Sequence, residues 1–191
     1  NLSLDRNKLT LADLTLFNNS YEKFPVLSSL ELNGNFNSIL GMEEQISRLL
    51  RFPKLESLSL NGLGISTLKT DLNKLITELK NNTTIKHIDI SKNLVGESGY
   101  RHFVDLIKAN TTLITAKFSS SEMKNPADVF EILEIVTHHK SLCNTCLFRE
   151  DVMRLLSNQP PQNLYKYSKL LLSAQNKNME NYASIGAVPS E

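Results

Sequence analysis

The chain has no tryptophan, only two cysteines and almost no excess of either charge, with 21 Lys plus Arg against 20 Asp plus Glu for a net of +1. Near-neutrality excludes the uniform field that would draw a protein to nucleic acid or to an anionic membrane, so neither is expected as a partner. Cys143 and Cys146 are too few and too close together for a disulfide framework, which points to a reducing, cytoplasmic compartment. No window approaches the ~18 uninterrupted apolar residues of a membrane span, and the chain opens Asn1-Leu2-Ser3 rather than with a basic and then apolar leader. Also missing are a Walker A loop, a dinucleotide glycine motif, a zincin histidine motif and a Gly-x-Ser-x-Gly elbow. No catalysis, cofactor or small-molecule substrate is therefore expected. What is left, 191 residues of which 40% are hydrophobic and 21% charged, suits one folded body with its own core.

The positive signal is an internal repeat. Phe24-Pro25-Val26-Leu27 is echoed by Phe52-Pro53-Lys54-Leu55, and Asn82-Thr83-Thr84-Ile85 by Asn110-Thr111-Thr112-Leu113. Unit starts at Leu27, Leu55, Ile85, Leu113 and Leu142 give steps of 28, 30, 28 and 29 residues. Each unit opens in the same way: Leu27, Leu30, Leu32 and Asn35, then Leu55, Leu58 and Leu60, then Ile85, Ile88, Ile90 and Asn93. At the front, Leu2, Leu4, Asn7 and Leu9 match the later part of this pattern, so the first unit is expected to be truncated. The fifth unit, with Leu113, Ala116, Phe118 and Ser121, is degenerate.

An L-x-x-L-x-L-x-x-N pattern at this period resembles the leucine-rich repeat family, and its length resembles the ribonuclease-inhibitor-like subclass. The resemblance covers roughly residues 1–158. Leu63 and Ser121 stand where the family has Asn, so local irregularity is expected there. The resemblance implies an α/β solenoid, a horseshoe with parallel strands on the concave side and helices on the convex side. Alternation in the strands agrees, placing Leu58 and Leu60 on one face and Ser57, Ser59 and Asn61 on the other. So does helical spacing downstream, at Met42, Ile46, Leu49 and Leu50, at Leu72, Ile76 and Leu79, and at Phe103, Leu106 and Ile107. Neither element buries its apolar face alone, so the units must stack. Gly41 and Gly99 are expected just ahead of the helical runs, and Glu43-Glu44 in a helix's first turn, where negative charge is favourable. Repeats are expected over 1–148, a helical cap over 149–176 and a flexible tail over 177–191.

Two groups of residues are candidates for function. His138, His139, Cys143 and Cys146 have zinc-ligand chemistry, but a strand would send the two cysteines to opposite faces, and no metal is expected. The outward row of the strands is the stronger candidate. Glu31, Ser59, Asn61, His87, Asp89, Lys117 and Phe148 are expected to line a concave, protein-binding face, with Ser3, Cys146, Ser29, Asn33, Ser57, Ser91, Thr115 and Ser119 beside them. The expectation is a non-catalytic protein-interaction module with one protein partner, a cytoplasmic regulator or an effector that a bacterium delivers into host cytoplasm. The excess of lysine, 15 to 6 arginines, with abundant Asn, suits AT-rich coding and is compatible with the effector. The alternative is the substrate-targeting repeat domain of a larger enzyme such as a ubiquitin ligase.

Overall fold

Apolar residues two apart in each unit start do form strands, and those strands pair in chain order. The computed structural model describes residues 1–36, 42–62, 72–93, 96–118, 125–146, 155–157, 159–184 and 186. Its strands are β1 (Leu2–Ser3), β2 (Ser29–Glu31), β3 (Ser57–Ser59), β4 (His87–Asp89), β5 (Thr115–Lys117) and β6 (Asn144–Cys146), in one sheet ordered 1-2-3-4-5-6. Every pairing is parallel. Between them lie α1 (Leu11–Asn19), α2 (Glu43–Arg48), α3 (Asn73–Leu79), α4 (Gly96–Ala109) and α5 (Pro126–His138), and α6 (Pro161–Ser184) follows the last strand. The architecture is an α/β, leucine-rich-repeat-like solenoid.

Register follows the repeat. Leu2, Leu30, Leu58, Ile88 and Ala116 are cross-strand partners in succession, and the last four of them are at most 1% exposed. The second aliphatic row, Leu32, Leu60, Ile90 and Phe118, is buried as well, as are Met42, Ile46, Leu49, Leu72, Ile76, Leu79, Phe103, Leu106 and Ile107 from the helical side. In the fifth unit a small Ala116 is offset by a large Phe118, whose ring stacks on Phe103 with centroids 4.5 Å apart.

Past each strand the backbone ladder continues. Leu4, Leu32, Leu60 and Ile90 donate their N–H to the carbonyls of Glu31, Ser59, Asp89 and Lys117. Four residues after the first core aliphatic the chain turns with positive φ, at Arg6 (55°), Gly34 (64°), Gly62 (61°) and Lys92 (57°). This column was not singled out in the sequence, because two of its members carry side chains. At Gly34 a Cβ would also approach Arg6 Cγ to 3.2 Å. Gly34→Ala is expected to cost about 1–2 kcal/mol, and Lys92→Gly to gain about 0.5–1 kcal/mol, in denaturant titrations.

Two sequence expectations need correction. Gly99 lies inside α4, not ahead of it, and is buried, so its value there is close packing. The boundary at 176 is too early: α6 runs to Ser184, held by buried Asn181, whose amide donates to the carbonyls of His139 (3.2 Å) and Leu142 (2.9 Å). Asn61 faces the concave side but its amide is committed internally, as described below. Glu43 and Glu44 do occupy the first turn of α2, and Glu44 also pairs with Arg48 and Lys74. Gly41, Leu63, Ser119, Ser121 and Phe148, together with 149–154, 158, 185 and 187–191, lie outside the described residues, while Leu155 and Leu156 are helical and buried.

Candidate functional site

Because β2 to β5 are in register, their outward residues form rows across the sheet. The central row is Glu31, Ser59, Asp89, Lys117, and the row before it is Ser29, Ser57, His87, Thr115. Glu31, Ser57, Ser59, His87, Asp89, Thr115 and Lys117 line one recess of about 380 Å³ on the concave side. Leu58 and Ile88 line it too, and so does a residue from outside the strands, Tyr182 in the last turn of α6. Five of the seven predicted residues are thus brought together. Asn61 sits on the rim, and Phe148 lies outside the described residues.

Hydrogen bonding separates structural polar groups from available ones. Asp5 accepts from Asn33 N (2.8 Å) and Asn33 Nδ2 (2.9 Å). Asn33 Oδ1 in turn accepts from Ser59 Oγ and Asn61 N, both at 2.7 Å. Asn61 Nδ2 donates to Ser91 Oγ (2.7 Å), and Ser91 donates N–H (2.9 Å) and O–H (2.5 Å) to Asp89 Oδ1. This chain stiffens the rim and commits the side chains of Asn33, Asn61 and Ser91, while at Asp89 it engages Oδ1.

Glu31 and Lys117 behave differently. Among the described residues neither forms an ion pair, although Asp89 and Lys117 are direct neighbours across β4 and β5. Asp89 is held toward Ser91, which keeps it from Lys117. Several charges on the convex side are instead paired: Arg101 and Lys108 with Glu131, Lys80 with Asp105, Lys166 with Glu134. His87 is exposed by area, yet partial burial against the trough pushes its pKa down, and the neighbouring Lys86 charge lowers it further. Its Nδ1 lies 3.2 Å from Thr115 Oγ1.

The other candidate cluster is structural where it can be seen. His139 Nδ1 accepts the N–H groups of Leu142 (2.9 Å) and Ser141 (3.2 Å), so Nε2 carries the proton and donates to Asn110 O (2.9 Å). Both nitrogens are occupied by backbone. Cys143 is buried, which raises its thiol pKa, and the side chain of Cys146 lies outside the described residues.

His139 occupies a repeat position. Asn82 Oδ1 accepts from Thr84 N and Ile85 N, and Asn110 Oδ1 accepts from Thr112 N and Leu113 N, in the same relation to the next strand. Burial holds the His139 pKa below its usual 6.5. The unfolded chain then binds more protons near pH 6, so the stability this ring contributes is complete above 6.5 and is lost as pH falls from there toward the lowered folded value. His139→Asn restores the side chain used one unit earlier. The expected result is little change in stability at pH 7.5 and a flatter denaturation midpoint between pH 7 and 5.

A second recess, about 280 Å³, is lined by Leu4, Leu9, Leu14, Leu16, Phe17, Phe24 and Leu32 at the outer face of the first unit. Its lining is mostly apolar, and of its polar members, Asp13 and Ser20, the first is engaged by Thr10. No helix among the described residues is long and apolar enough to cross a membrane.

With this geometry in hand, likeness to known proteins adds a context. No family model matches the chain. A Rho GTPase-activating protein, gacW of Dictyostelium discoideum, is 30% identical over 155 residues, which are 78% of this chain and 14% of that protein. FERM domain-containing protein C of the same organism is 36% identical over 90 residues, 46% of this chain and 6% of that protein. The chain therefore spans a small part of either relative's length.

Proposed function

We propose that the chain is a non-catalytic protein-interaction module, a solenoid of the ribonuclease-inhibitor-like leucine-rich-repeat subclass that holds a protein partner in its concave trough and acts in the cytoplasm. The observation that carries this reading is the contrast in charge pairing. Glu31, Asp89 and Lys117 stand on one row without ion pairs to each other, while several charges on the convex helices are paired. A row stiffened by neighbouring hydrogen bonds loses little entropy on binding. Relatives from a eukaryote favour a cytoplasmic regulator over a bacterial effector.

Exchanging the charges, Asp89→Lys with Lys117→Asp, tests it. Affinity capture from lysate of the source cell should lose at least tenfold of a specifically retained protein while the chain stays folded, with the thermal midpoint lowered by a few degrees because Asp89→Lys removes the acceptor of two Ser91 hydrogen bonds. Unchanged capture with an intact fold would reject the trough as the interface.

A second reading is favoured by the same comparisons. Both relatives are several times longer than the matching segment, so the trough could serve as the targeting surface of a larger protein, carrying a neighbouring domain to its site of action. The complete reading frame distinguishes the two, because a catalytic domain joined to these repeats would support targeting.

A further inference from the structure

The trough has an order of charges as well as a shape, and that order selects a partner. Resting on the reading that the concave face binds protein, the geometry points to one amphipathic helix of the partner, laid across the strands, with basic side chains at positions i and i+7 and an acidic one at i+10 or i+11.

The central row runs Glu31, Ser59, Asp89, Lys117 on consecutive, in-register strands. Parallel strands are about 4.8 Å apart, which puts Glu31 and Asp89 about 10 Å from each other and Lys117 about 5 Å further on. A helix rises about 1.5 Å per residue, so these separations correspond to roughly seven residues and then three to four. Positions i, i+7 and i+11 share one helical face. An extended strand, rising about 3.3 Å per residue, would need a basic pair three apart and an acidic residue one or two further, alternately on opposite faces.

Three further features agree with a helix. The recess of about 380 Å³ has room for side chains from one face of an element rather than for the element itself. Tyr182 lines it together with the charged row. An aromatic ring there supplies the amphipathic contact area common at interface centres. Lastly, His87 is held neutral at physiological pH, so the trough presents two carboxylates and one ammonium, and a partner face with two cations and one anion complements it.

The test is a displayed library of 16-residue helical segments with one face randomised, selected against the intact chain. Enriched segments should carry Lys or Arg at two positions seven apart and Asp or Glu three or four residues beyond. Their binding should weaken at least tenfold on Glu31→Lys and severalfold on Asp89→Asn, a change that keeps an acceptor for Ser91. Selection against the Asp89→Lys, Lys117→Asp chain should return the second and third charges exchanged. Segments that depend on Glu31 and Asp89 but carry another charge order would overturn the helical pattern while leaving the trough as the binding surface. Segments indifferent to all these substitutions, or a library yielding none, would overturn both.

Discussion

Asn110→Leu is expected to destabilise the chain by about 3–5 kcal/mol, read as a lower denaturant midpoint. Asn110 is 2% exposed and its side chain closes two units at once. Its amide donates to Leu79 O (2.7 Å) and Asn82 O (2.9 Å), and its Oδ1 accepts from Thr112 N (2.8 Å) and Leu113 N (2.9 Å). Leucine fills the same space but leaves these four backbone groups without their partner, and each buried unsatisfied group costs about 1–3 kcal/mol before relaxation. The loss should be local at first, loosening the stacking of the fourth unit on the third and the turn into the fifth, because each unit contacts mainly its neighbours. The first two junctions solve the same problem differently. Phe24 and Phe52 occupy the equivalent position, Leu27 and Leu55 donate to backbone carbonyls there, and Phe17 stacks on Phe52 at 5.1 Å. A polar cap and an aromatic plug are thus alternative ways to finish a turn, and they cannot be exchanged singly.

Leu58→Ala is the second large effect, about 3–5 kcal/mol. Leu58 is 1% exposed, central in the sheet, with Leu30 and Ile88 as its register partners. Deleting its terminal carbons leaves a cavity between units that cannot collapse without shifting a strand on either side. Leu2→Ala, the same change at the sheet's half-buried edge, should cost about 1 kcal/mol, since that side chain has a neighbouring unit on one side only. Comparing the two by urea titration separates a stacked core from independent hairpin-like units, for which the costs would be alike.

The central row was legible because period and alternation together dictate it: once Leu30, Leu58, Ile88 and Ala116 are placed inward in register, Glu31, Ser59, Asp89 and Lys117 must lie outward. Burial of Ile46, Ile76 and Ile107 was legible in the same way, from helical spacing. Tyr182 was not. Beyond Asn176 the chain carries few apolar residues, and what holds α6 against the last unit there is the buried amide of Asn181, an interaction without a periodic signature. Nor could the sequence show that Asn61, Ser59 and Asp89, all pointing outward, are joined within the rim, because only the side-chain bonds to Asn33 and Ser91 reveal it. His139 resembled a metal ligand by type, whereas its position in the repeat, three residues before Leu142 as Asn110 is before Leu113, identifies it as a turn closure.

The most direct measurement of the central claim is amide chemical-shift perturbation on titrating the chain with a retained peptide partner. The account predicts that shifts recur at 29–31, 57–59, 87–89 and 115–117, together with Tyr182, marking one stripe across successive turns of the solenoid. Shifts confined to helices α3, α4 and α5 on the convex side, with those strand segments silent, would contradict it.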